Sequence, residues 1–264
     1  METSNGVDPY EFCVEKAREA GELALSQRGK ELEVMEKGGD PKDVVTNVDL
    51  AVNRTLLTAI REAFPDDRIY SEESGGAQSA ERLWVIDPID GSANFSRGIP
   101  HFATCIGLLE RGVPTAGAVY NPVTRELFSF SRGKGAFLNG EPIKVSSVTE
   151  LKSAHVFLHA GRKESVRDWG GESYRRLLGA AKKTNNFAST ALDTCFVAAG
   201  RIEASIHGTM STLDIAAAIG ILREAGGVLS DALGGEVALS KEPQRVYTAN
   251  NPDMLEHVRT LLET

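Results

Sequence analysis

Residues 83–95 read Leu-Trp-Val-Ile-Asp-Pro-Ile-Asp-Gly-Ser-Ala-Asn-Phe, and no other stretch constrains this chain as strongly. The apolar run at 83–86 has the pattern of a buried strand. It ends abruptly in two acids, Asp87 and Asp90, separated by Pro88-Ile89 and followed by a Gly-Ser step that can start a helix. Pro88 fixes its own φ and biases Asp87 toward an extended conformation. Both carboxylates are therefore expected on a stiff turn beside the backbone N–H groups of Gly91 and Ser92. Acids suited to a cation and amides suited to an anion lie side by side. Asp-Pro and Asp-Gly are also ordinary turn dipeptides, so the stretch takes its meaning from what the rest of the chain supplies.

The 264 residues, 41% hydrophobic and 25% charged, are enough for a large core arranged as two lobes, expected at 1–150 and 151–264 with the boundary near 148–153. A net charge of −8 without a basic cluster argues against nucleic acid and against anionic membrane surfaces as partners. Cys13, Cys105 and Cys195 are odd in number and set among apolar residues, which reads as buried free thiols in a reducing cytoplasm. The first residues lack a basic-plus-apolar leader, and no apolar run has membrane-spanning length, so a cytoplasmic protein is expected.

Along the chain, Asp8-Pro9-Tyr10-Glu11 opens a helix that should stop near 28–29. Residues 37–43 are rich in helix and strand breakers and read as a loop carrying Lys37. Thr46-Asn47-Val48-Asp49 has the form of a helix cap, and a cap alone accounts for Asp49. A short strand at 69–70 runs out in Ser-Glu-Glu-Ser-Gly-Gly, which puts Glu72 and Glu73 between a strand end and a glycine-rich loop. Strands then follow at 102–109, 115–120 and 126–130, and Asn139-Gly140 joins a tight hairpin, giving an antiparallel meander. From 154 onward helices and strands alternate, with a helix opening at Asp214, so a mixed sheet between helical layers is implied. His207 ends a strand, where a lone histidine has a structural explanation.

Taken together, Glu72-Glu73, the 84–95 stretch, Thr46-x-x-Asp49 and Leu213-Asp214-Ile215-Ala216-Ala217 resemble the inositol monophosphatase family of metal-dependent sugar phosphatases, in order and spacing along nearly the whole chain. The Gly135-Ala136-Phe137-Leu138-Asn139-Gly140 hairpin and the helix end at Glu224-Ala225-Gly226-Gly227 resemble it too. The resemblance implies an α+β or α/β layered sandwich of αβαβα type, with an antiparallel N-terminal lobe and a mixed C-terminal one. It further implies that Glu72, Asp87 and the Ile89 carbonyl hold one cation while Asp87, Asp90 and Asp214 hold a second, with Glu73 nearby and Lys37 near a third position. All-oxygen ligands suit Mg2+, with Mn2+ as a substitute, better than zinc. Phosphate monoester hydrolysis follows from the same resemblance: a cation-activated water aimed by Glu72 and Ser92, Asp49 accepting from the Ser92 hydroxyl, and the Gly91 and Ser92 amides on a phosphate oxygen. Ser92 stands where the family usually has Thr. The ring-recognition positions map to Ala188, Ser189, Thr190 and His207; Ala188 replaces a family Gly and His207 a family Glu. The expected substrate is a small phosphorylated metabolite, with an inositol or sugar monophosphate ranked first, fructose 1,6-bisphosphate second and a 3′-phosphorylated nucleotide third. A non-catalytic metabolite sensor is the alternative outside enzymes. The resemblance also implies a homodimer.

Overall fold

The computed structural model describes residues 6–28, 32–37, 40–161 and 166–264, without the side chains of 37 and 40–43. Its core is five layers deep: helices, sheet, helices, sheet, helices.

The first layer is α1 (Pro9–Gln27) and α2 (Asn47–Ala63). Asp8 caps α1 by accepting from the Tyr10 backbone N at 2.7 Å, with Pro9 in the first turn where its missing N–H costs nothing. α2 starts with a reciprocal capping box: Asp49 N donates to Thr46 Oγ1 at 3.3 Å and Thr46 N to Asp49 Oδ2 at 2.9 Å. Ahead of it, β1 (Val34–Lys37) and β2 (Asp40–Thr46) pair antiparallel. Residues 40–43 therefore extend a strand where the sequence predicts loop. The valines at 44 and 45 pair with Glu36 and Met35 and carry Pro41 along at the end of an isolated two-stranded ribbon, which has no inner position for proline to disrupt.

The second layer is an eight-stranded sheet built from β3 (Arg68–Ser71), β4 (Gly75–Gly76), β5 (Arg82–Asp90), β6 (Ala103–Glu110), β7 (Val113–Asn121), β8 (Glu126–Ser131), β9 (Gly135–Leu138) and β10 (Glu141–Ile143), in the order 10-9-8-7-6-5-3-4. Only β3 and β5 pair in parallel. β5 is buried along nearly its whole length, which explains its unbroken apolar run. Trp84 stacks among Phe12 and Phe64 of the first layer and donates its Nε1–H to Asp67 at 2.8 Å. The strand does not stop at Asp87. It runs on to Asp90 with a register shift against β6 between Asp87 and Asp90, so Pro88 sits in a bulge, where a missing ladder donor is tolerated.

A short helix α3 (Ser92–Ser96) follows β5. In the second half, β11 (His155–His159), α4 (Arg167–Ala180), β12 (Lys183–Asn185), α5 (Thr190–Ala198), β13 (Ala204–Met210), α6 (Ala216–Glu224), β14 (Val228–Asp231), β15 (Gln244–Ala249) and α7 (Pro252–Glu263) make a five-stranded sheet of order 12-11-13-15-14 and its helices. It is mixed: β11 is parallel to β12 and β13, while β15 is antiparallel to β13 and β14. α5 and α6 fill the middle layer between the sheets, and α4 and α7 cover the outer face.

Glycines at one crossing let α6 come close. Gly107 and Gly117 face each other across β6 and β7, and a Cβ on either would stand 3.0–3.3 Å from the Cβ of Ala217. Here the helix lies directly on strand backbone. The large middle cluster, including Phe128, Phe130, Leu192, Ile219 and Ile221, closes around that contact. Among the described residues no helix is long and apolar enough to cross a membrane.

Candidate active site

Parallel pairing of β3 with β5 aligns Ser71 with Ile86, and Glu72 N donates to Ile86 O at 3.1 Å. Glu72, just past the end of β3, and Asp87, the next residue of β5, therefore stand side by side at one end of this pairing. The bulge turns Asp90 to the same end. From the middle layer, Asp214 arrives in the turn just before α6, not inside the helix as the sequence predicts, since Ile215 is the cap residue. Glu72, Asp87, Asp90 and Asp214 all line one cavity of about 750 Å3, together with Ile89, Gly91, Ser92, Ala188 and Thr190.

Four carboxylates in one cavity repel. Burial, then Glu72, Asp90 and Asp214, push Asp87 well above the usual carboxylate range. Burial also raises Asp90, against the pull of hydrogen bonds from Ser189 and Ala191. A buried acid so raised is one that a cation would relieve. Asp87 is 3% exposed, and its Oδ1 is buried with no hydrogen-bond partner among the described residues, an oxygen without a proton donor where a cation ligand would be wanted. No three His, Cys, Asp or Glu side chains among the described residues are already closed into a metal-binding cluster. An open, all-oxygen set of this kind fits Mg2+, which keeps several waters and takes substrate phosphate as a ligand, rather than a cation that needs a complete protein cage.

Beside the acids, Ser92 Oγ donates to Asp49 Oδ1 at 2.7 Å and lies 2.9 Å from the Ile89 carbonyl oxygen. Asp49 is fully buried and takes the Thr46 hydroxyl and amide on its other oxygen. Burial raises its pKa while the Thr46 and Ser92 hydrogen bonds oppose the rise. The cap residue and the site residue are thus one side chain with an oxygen for each task. Gly91 holds φ at +93°, and a Cβ there would meet the His101 carbonyl at 3.1 Å, so glycine lets α3 begin against the cavity wall.

The opposite wall is tied to Asp90. Ser189 Oγ and Ala191 N (3.0 Å) donate to Asp90 Oδ2, and Thr190 N donates to Oδ1 at 3.2 Å. Asn94 Nδ2 donates to the carbonyls of His101 and Phe187 at 2.8 and 2.7 Å, and His101 Nε2 stands 3.1 Å from Asp193. Between these anchors Ala188 holds φ at +57°, a left-handed conformation costing a β-carbon residue about 1–2 kcal/mol.

The expected residues do not all meet. Ser189 supports Asp90 from behind and is fully buried, Glu73 is absent from the cavity lining, and the Lys37 side chain lies outside the described residues. His207 is corrected as a cavity residue. It is 1% exposed, its Nε2 pairs with Ser205 Oγ at 2.5 Å, and burial lowers its pKa to about 3. The irregular stretch of β13 after His207 brings Thr209, Met210 and Ser211 to the cavity in its place. His159, aligned with His207 on β11, and Arg167 at the start of α4 also line it; nothing local in the sequence marks either. Tyr70 escapes a sequence reading as well, because it looks like an ordinary strand aromatic. Burial, then the negative charge of Asp214, push its phenol up to about 12, so it keeps its proton.

Residues 8–264 match the model of the inositol monophosphatase family. A fructose-1,6-bisphosphatase/inositol-1-monophosphatase of Thermotoga maritima is 35% identical over 236 residues, covering 89% of this chain and 90% of that one. Nus factor SuhB of Pseudomonas aeruginosa is 38% identical over 239 residues, covering 87% and 88%. Among solved structures, an IMPase of Thermotoga maritima superposes with a TM-score of 0.87 at 31% identity, over 97% of this chain and 99% of that one.

Proposed function

The chain belongs to the inositol monophosphatase family and is a phosphatase, a phosphoric monoester hydrolase; from that premise we propose that it is a Mg2+-dependent hydrolase of an inositol monophosphate or a related sugar monophosphate. The observation that carries the reading is the convergence of Glu72, Asp87, Asp90 and Asp214 on one cavity with the Thr46–Asp49–Ser92 chain at its edge. Gathering four acids at one cavity, two of them, Asp87 and Asp90, buried, costs stability, and a phosphate-handling cation site is the use that repays it.

Glu72, Asp87 and the Ile89 carbonyl would hold one cation, and Asp87, Asp90 and Asp214 a second. When bound, the cations neutralise the phosphoryl oxygens and make a water more acidic. The chain's own residues do the aiming. Asp49 accepts the Ser92 O–H hydrogen bond, which leaves the Ser92 lone pairs to accept from the attacking water, while Glu72 accepts its other hydrogen. Attack would form a P–O bond to the water oxygen as the ester P–O bond breaks, the water's proton passing to Glu72 and the departing alcohol oxygen taking one from solvent. The Gly91 and Ser92 amides receive a phosphoryl oxygen, and Ser189, Thr190 and Ala191 keep Asp90 facing the cavity. The same reading has the enzyme acting in the cytoplasm as a homodimer on small phosphorylated metabolites.

A bisphosphate such as fructose 1,6-bisphosphate is a second reading favoured by one observation. Arg167 is the only Lys or Arg in the cavity lining and makes no ion pair among the described residues, while every acid lining that cavity is one of the four proposed cation ligands. A second anionic group on the alcohol would meet it.

Phosphate release from inositol 1-phosphate, fructose 1,6-bisphosphate, a 3′-phosphonucleotide and histidinol phosphate, with Mg2+ and with chelator, tests the assignment. Release from the first or second, abolished by chelator and by Asp90→Asn with the circular dichroism unchanged, is expected; no release from any of the four overturns it. Arg167→Ala should raise KM about 3–10-fold for the bisphosphate and leave inositol 1-phosphate unaffected, the modest size reflecting an exposed side chain.

A further inference from the structure

Asn94 is 8% exposed and absent from the cavity lining, yet both hydrogens of its carboxamide nitrogen go to main-chain carbonyls, His101 at 2.8 Å and Phe187 at 2.7 Å. The first carbonyl lies 7 residues along the chain and the second 93, so one side chain ties the start of α3 to a segment of the other half. Phe187 precedes Ala188, whose left-handed backbone a residue with a Cβ adopts only under constraint. That constraint is applied from both sides. Downstream, Ser189 Oγ, Thr190 N and Ala191 N donate to Asp90. Upstream, Asn94 holds the Phe187 carbonyl. Ala188 and Thr190, which follow the upstream tie, both line the cavity.

We propose that Asn94 is a positioning residue that holds Ala188 and Thr190 as the wall receiving the alcohol part of the substrate, through its paired hydrogen bonds to the His101 and Phe187 carbonyls. The inference rests on the phosphomonoesterase reading above. It adds that preference for the alcohol depends on a side chain outside the cavity. The two ties divide the work: the downstream one supports Asp90 and with it the cation site, and the upstream one fixes the course of the wall. Loss of the Asn94 donors lets Ala188 relax toward an ordinary φ, which carries its Cβ and the following residue away from the substrate while the Asp90 contacts persist.

Steady-state kinetics of Asn94→Ala test this on inositol 1-phosphate, or on fructose 1,6-bisphosphate if that is the ester the wild type hydrolyses. KM should rise about 10-fold, whereas the inhibition constant of inorganic phosphate, which has no alcohol part, and the Mg2+ concentration for half-maximal rate should change less than about 2-fold. The contacts of the Phe187 ring with His101 and Phe157 and the His101–Asp193 pair remain in this variant, so it should fold, as thermal melting would show. If it does not, Asn94→Ser, which keeps a polar group there but cannot bridge both carbonyls, gives the same comparison. In an Ala188→Gly background, where glycine takes the left-handed conformation without strain, Asn94→Ala should raise KM by less than about 3-fold. An unchanged KM, or an equal rise in KM and in the phosphate inhibition constant, overturns the positioning role and leaves the phosphatase reading standing. A wild type that hydrolyses neither ester overturns that reading and the inference with it.

Discussion

Ser92 carries one hydroxyl between two acceptors, Asp49 Oδ1 and the Ile89 carbonyl. The charged acceptor forms the stronger bond, so the proton belongs to Asp49 and the lone pairs to whatever enters the cavity. Ser92→Ala should lower kcat about 100-fold with a small change in KM, measured by phosphate release. Ser92→Thr should keep activity within a few-fold, because it restores the methyl that stiffens χ1 without altering the donor. The Asp49 position was legible in the sequence as a cap, and the structure gives that cap a second acceptor oxygen at the site. His207, taken from the resemblance by its place seven residues before Asp214, is buried against Ser205, and β13 shifts register just after it. Tyr70, His159 and Arg167 could not be read at all, since each depends on which strand or helix lies beside it.

The strands, helices and most of their limits followed from apolar periodicity and turn residues, and the errors cluster at special backbone. The Asp87–Asp90 segment reads as a turn because it contains Asp-Pro and Asp-Gly, yet it is the end of β5, still paired with β6 at Asp87 and Asp90, and the sheet absorbs the irregularity as a bulge. The helix predicted to open at Asp214 opens two residues later, which frees the acid from helical geometry. α6 itself is fixed by packing. A Cβ on Gly220 would lie 2.1–2.6 Å from ring atoms of Phe130, which is buried at 1% exposure and has little room to turn aside. Gly220→Ala should therefore destabilise the protein by about 1–3 kcal/mol, seen as a Tm lowered by several degrees, despite alanine's better helix propensity. Because α6 carries Asp214 at its entrance, Mg2+ affinity should fall in the same variant.

At the scale of the whole molecule, the sandwich buries titratable groups of opposite tendency. His207 holds a pKa of about 3 in the folded protein against about 6.5 in an unfolded chain. The unfolded chain therefore takes up a proton that the folded one refuses between those values. From this group, stability is complete above about pH 6.5 and declines as pH falls toward 3, by up to about 1.4 kcal/mol per pH unit. Asp87 and Asp90 have raised values and work the other way, losing stability as pH rises through their range. The comparison that isolates the histidine is His207→Gln, whose stability by urea unfolding should vary less steeply between pH 6 and 4 than that of the wild type. The layered architecture was legible from the switch between meander and alternation. Which helices would lie between the two sheets was not, because it is decided by close approaches such as Ala217 on Gly107 and Gly117.

The four acids come from distant parts of the chain: Glu72, Asp87 and Asp90 from the first sheet and Asp214 from the entrance to α6. During synthesis a ribosome would release the first three well before the fourth, which stands at the entrance to α6, the helix packed on the glycine pair of β6 and β7. A cation held by the complete set would bind the finished fold and not its precursors, and by mass action would stabilise only that form.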